Sequence, residues 1–207
     1  MRGSTRGTWA AGLAGVALVA GLTGCGGGGS STDNRAKPCT GGTYAWSGVR
    51  RTEKLTALGD PVSFAKRTES YSSHLKPVDH TVYRPTVTGV PAGASAAGVI
   101  KALGAHLKVE QPLADPSETE RPGHDEYFEV HTGDLKGAYY SWAYIELVDA
   151  GFTYTCGSDK PVRGEVRTWA TTGSGFLPCA EDPADQATGR TAARETCPHG
   201  SRATRNA

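Results

Sequence analysis

The chain has 207 residues, with 22 Lys plus Arg against 21 Asp plus Glu and 37% hydrophobic residues. So even a balance excludes a nucleic-acid footprint, which needs clustered excess cations, and the length suits about one domain beyond the terminal segments. The four glycines at 26–29 lack the strand-to-helix setting that a phosphate-cradling loop requires.

Residues 1–24 hold Arg2 and Arg6, no acidic residue, and an apolar segment from Trp9 to Leu22. That segment is shorter than the about 20 residues needed to cross a hydrocarbon core, which predicts an exported leader, a signal peptide, over a membrane helix. It leads through Leu22, Thr23 and Gly24 into Cys25. At these four positions the chain resembles the bacterial lipoprotein precursors, whose lipobox is a Leu, two small residues and a Cys. The resemblance implies cleavage after Gly24, a diacylglycerol on the Cys25 sulfur, and a mature protein held at the cell membrane on its extracytoplasmic side. One acyl chain binds a bilayer only marginally, so palmitate-length chains in twos or threes make the lasting anchor.

Residues 25–38 continue the lipidated Cys into "GGGGSSTDNRAKP", a flexible spacer with a root-mean-square span of roughly 20 Å. Residues 39–207 form a single extracytoplasmic domain with a lean core. Cys39, Cys156, Cys179 and Cys197 are an even set in an oxidising compartment. Of three pairings, Cys39 with Cys156 and Cys179 with Cys197 is favoured: it ties the domain's start to its middle and closes a short C-terminal segment. No Cys-x-x-Cys pair supports a zinc site.

Along the domain, alternating runs rich in Thr, Val and aromatics predict strands at 42–49, 81–90, 125–132, 138–148, 151–156 and 162–171. Val99, Ile100, Leu103 and Leu107 share one face of a helix over 94–107 that Ser95 can cap. A poorer helix is predicted over 184–196, and 110–124, with three prolines, reads as a surface loop. The sum is an α+β domain: an antiparallel sheet of roughly six strands with one or two packed helices, stapled by disulfides.

"TGDLKG" between the third and fourth runs suits a hairpin turn. Centred between Asp134 and Leu135, it places Glu129 opposite Tyr140, Tyr127 opposite Trp142 and Asp125 opposite Tyr144. One face then gathers Tyr127, Tyr140, Trp142 and Tyr144 with Glu129, Glu146 and His131. Such a face can stack on sugar rings or hold a polar ligand. The plainer reading is that these rings pack beneath a helix. Glu129 with His131 is too small a set to predict a metal, and nothing calls for a cofactor.

Catalytic motifs fail on context. Ser63 with Lys66 and Ser73 with Lys76 match Ser-x-x-Lys, but no Lys-Thr-Gly element accompanies them. "GASAA" at 93–97 reads as a helix cap, and the remaining histidines define no triad. Two functions stay open. The favoured one is a lipid-anchored binding or accessory module of the cell envelope, its partner an envelope protein, a wall polymer or a small molecule. The alternative is a small extracytoplasmic hydrolase with a Ser-Lys or carboxylate site.

Overall fold

A computed structural model of the chain describes residues 39, 41–66, 70–122, 127–131, 135–184 and 186–205, with the side chains of 127–131 outside that set. In chain order the elements are β1 (Thr43–Leu58), β2 (Val62–Phe64), β3 (Ser70–His74), β4 (Lys76–Pro77), β5 (Thr86–Thr88), α1 (Ala96–Leu107), β6 (Tyr127–His131), β7 (Gly137–Thr155), β8 (Val162–Pro178), α2 (Ala187–Thr196) and α3 (Arg202–Arg205).

Six strands form one antiparallel sheet in the order β4-β1-β7-β8-β5, with β2 pairing the start of β7. This is the expected α+β architecture. β7 is its spine: β1 follows it from Thr155 to Trp142, and β8 from Tyr154 to Tyr139. The runs at 138–148 and 151–156 are therefore one strand, because Ala150 and Gly151 stay paired on both sides instead of turning. The run at 42–49 likewise continues to Leu58, and the one at 81–90 narrows to β5.

The expected hairpin between 125–132 and 138–148 does not form. β6 pairs with β3 in a separate two-stranded sheet, with Glu129 opposite Ser72 and Tyr127 opposite His74. Both edges of β7 are already taken by β1, β2 and β8, so no backbone donors remain there for β6.

β7 alternates strictly, and its even-numbered residues meet both helices. Val148, Ala150 and Phe152 pack on Val99, Ile100 and Leu103 of α1. Tyr140 and Trp142 pack on Ala192 and Ala193 of α2. Each large apolar side chain so buried contributes about 1.5–3 kcal/mol. Ser95 caps α1 as expected, its Oγ accepting from the Gly98 N–H at 3.0 Å. After α1 the chain wraps the free edge of β8: Leu113 joins the α1 cluster while Ala114 packs with Ile145 and Trp169 on the other face. There Ala114 N–H donates to Trp169 O, and Thr168 Oγ1 donates to Ala114 O.

Cys39 is bonded to Cys156 and Cys179 to Cys197, the favoured pairing. The second bridge fixes the end of α2 to the end of β8, and α3 docks beside it through Ala203 N–H to Cys179 O.

Candidate functional site

The aromatic face divides. Tyr140 and Trp142 are buried beneath α2 with their rings stacked 5.2 Å apart, and Tyr144 is half-buried. Burial, with the Asp182 charge adding to it, pushes the Tyr140 phenol up to about 12. Tyr127, Glu129 and His131 have side chains outside the described residues, and their strand lies in the other sheet. Cys25, the expected lipid attachment site, also lies outside the described residues.

In the second Ser-x-x-Lys match both side chains are engaged with other partners. Ser73 Oγ donates to the neighbouring His74 carbonyl, while Lys76 Nζ sits 2.7 Å from both carboxylate oxygens of Asp60. Lys76 is thus turned to Asp60, and Ser73 to a backbone carbonyl, rather than to each other. Ser63 stands exposed on β2. Among the described residues no group of His, Cys, Asp or Glu gathers that could hold a metal ion.

A groove with polar side chains from four strands lies on the opposite face of β7, away from both helices, and a bulge shapes it. Between Ser47 and Arg50 β1 carries two residues, Gly48 and Val49, where β7 carries only Ala150 between Gly151 and Asp149. Gly48 absorbs the extra residue at φ +58°, a left-handed backbone that glycine adopts without a side-chain clash. The bulge shifts the alternation of β1, so Ser47 and Arg50 both face the odd-numbered side of β7.

Two rows then cross four strands. Arg50 stands opposite Asp149, Asp149 opposite Arg167, and Arg167 opposite Thr86. One step along, Ser47 faces Gly151, Gly151 faces Glu165, and Glu165 faces Thr88. Having no side chain, Gly151 leaves the floor low, and the rows border a groove of about 530 Å³. The groove runs on past Thr153 and Arg163 at one end and past Tyr83 and Arg84 at the other.

Arg167 Nε donates to Asp149 Oδ1 at 2.8 Å, and the hydrogen bond and charge of that carboxylate raise the guanidinium above its ordinary pKa. Arg50 and Arg163 are exposed and make no hydrogen bond or ion pair with the described residues. Thr88 Oγ1 accepts from the Glu165 N–H at 3.1 Å, which leaves its own proton free to donate.

No family model, no curated protein and no solved structure matches this chain. The groove therefore rests on its own geometry. Sequence reasoning passed over it although the signal was present: in "VRGEVRTWAT" Arg163, Glu165 and Arg167 alternate with buried or half-buried neighbours, the pattern of a strand with one charged face. The row partners Arg50 and Ser47 carried no such signal, because the Gly48 bulge interrupts the period of two.

Proposed function

We propose that this chain is a lipid-anchored extracytoplasmic binding module of the cell envelope, and that the groove over Gly151 is its binding surface. The observation that carries the reading is the Arg50, Asp149, Arg167 and Thr86 row: four polar side chains from four strands, converging on a concavity with an open floor. Binding needs only such a shaped polar surface, whereas catalysis needs a nucleophile or base in reach of its partner, and Lys76 is committed to Asp60. The lipobox residues Leu22 to Cys25 and the spacer after them support the anchor. The two disulfides suit a compartment outside the cytoplasm.

Two measurements on protein from its native host test this. Mass spectrometry of the N-terminal peptide should show residue 25 as a diacylglyceryl-modified N-terminus, and Cys25→Ala should move the protein from the membrane to the soluble fraction. Affinity capture from detergent-solubilised envelope should retain a specific polymer, protein or small molecule that Gly151→Leu, which fills the groove floor, no longer retains. An unmodified residue 25 sinks the anchor; identical capture by the Gly151→Leu protein sinks the groove.

A further inference from the structure

We infer that the groove over Gly151 takes an oxyanion carried on a hydroxylated body, the chemistry shared by a sugar phosphate and a uronic acid. The inference rests on the binding-module reading and names the ligand class of the same site.

The charge pattern points to an anion. Asp149 is engaged by Arg167, and Lys54, at the far end of the groove, by Asp79 at 3.2 Å. What remains for a ligand is the Arg50 and Arg163 guanidinium groups, with Arg84 beyond them, against the Glu165 carboxylate. Guanidinium presents a planar fork of donors that matches a carboxylate or phosphate group, and it is always charged.

Placement narrows the class. Arg50 lies on β1 and Arg163 on β8, with β7 between them and Gly151 nearer the middle than either. From strand spacing and rise, their backbones stand roughly 16 Å apart, with Arg50 lining the groove toward one end and Arg163 toward the other. An inorganic anion alone would occupy one end. Between the ends stand the Ser47 and Thr88 hydroxyls, which donate, and the Glu165 carboxylate and the second oxygen of Asp149, which accept. A body bearing hydroxyls satisfies that alternation of donors and acceptors, and a purely apolar anion leaves it unpaired.

The full-length protein in detergent, titrated by calorimetry, provides the test. Glucose 6-phosphate or glucuronate should bind, and glucose or inorganic phosphate should bind at least about tenfold more weakly, the size expected from losing a charge-assisted bidentate pair or its hydroxyl partners. Arg50→Ala with Arg163→Ala should abolish the difference between glucose 6-phosphate and glucose. An unchanged urea midpoint for this double variant, whose side chains are exposed and unbonded, shows that loss of binding is not loss of fold. Raising the salt from low to high should weaken the two acids and leave glucose unaffected.

If glucose binds as well as its phosphate, or the double arginine variant binds both acids normally, the inference is overturned. Equal binding of inorganic phosphate overturns the hydroxylated half of it. If no probe binds while Gly151→Leu still removes an envelope ligand, the groove remains a binding site and the ligand class is wrong. If neither occurs, the binding-module reading falls as well.

Discussion

Trp142 stands directly across the β7–β8 ladder from Gly175, and its indole covers that glycine so closely that a Cβ at 175 would come within 2.2 Å of Trp142 Cζ2. The arrangement repeats at Tyr144 over Gly173 and at Phe152 over Gly164. Aromatic rings thus fill the space that cross-strand glycines leave. Trp142 is also confined from above, since a Cβ on Gly189 of α2 would lie 3.0 Å from Cζ2. Gly175→Ala should therefore cost about 2 to 3 kcal/mol, as an overpacked core does, whereas at Gly173 the half-buried Tyr144 can swing outward and the cost should be smaller. Urea denaturation midpoints of the two variants provide the comparison.

Tyr140 should be a position where a smaller polar inventory improves stability. Its Oη is buried with no hydrogen-bond partner among the described residues. Tyr140→Phe removes an unpaired hydroxyl without opening a cavity and should be neutral or stabilising by about 1 kcal/mol. The phenol is raised from 10.0 to about 12 in the folded protein, so the unfolded chain ionises first. The tyrosine's contribution is complete below pH 10 and declines as the pH climbs toward 12. The phenylalanine variant should show a smaller loss across that window, followed by circular dichroism during alkaline titration.

The two disulfides should differ in weight. Cys39–Cys156 spans a sequence separation of 117 and Cys179–Cys197 one of 18. Loop-closure entropy assigns about 5 kcal/mol to the first and about 3 kcal/mol to the second, in a chain-entropy account that calorimetry disputes. Paired Cys→Ser replacements, compared by thermal unfolding, should follow that order. The reverse order would mean that docking of α2 and α3 depends on the short bridge more than the sheet depends on the long one.

Asp79 gives an acid-side prediction. The Thr81 side chain and N–H, and then Lys54, hold its carboxyl down from 3.8 to about 2. A lowered folded pKa stabilises above pH 3.8 and stops doing so as the pH falls to about 2. Because the pair is largely solvated, Asp79→Asn should cost no more than about 1 kcal/mol at neutral pH. The gap to the unmodified protein should close across that acid window in urea titrations at stepped pH.

Local patterns were legible where local physics decides. Ser95 before an apolar face marked the start of α1, and the even set of four cysteines with their spacing pointed to both bridges. Two bulges concealed the length of β1. The extra residues at Gly48 and near Thr56 each reverse which parity faces the core, so "RRTEKLTAL" shows no sustained alternation although it is strand throughout. The partner of β6 was illegible for a different reason. Turn residues between 131 and 137 favour a hairpin, but β7 satisfies its backbone with β1 and β8, pairings whose sequence separation no local signal records. The groove was hidden by the same bulge that builds it, since Ser47 and Arg50 share a face only once the register shift is known.

The bond between Cys39 and Cys156 also decides how the fold meets tension. A pull arriving along the chain from the N-terminal side of Cys39 reaches a covalent crosslink to the end of β7 before it reaches the first rung at Thr43 and Thr155. While that link is intact, β1 cannot be peeled away from its leading end, and the load passes straight into the sheet's central strand. Only reduction would let the ladder unzip rung by rung, making the body mechanically soft in a reducing environment and stiff in an oxidising one.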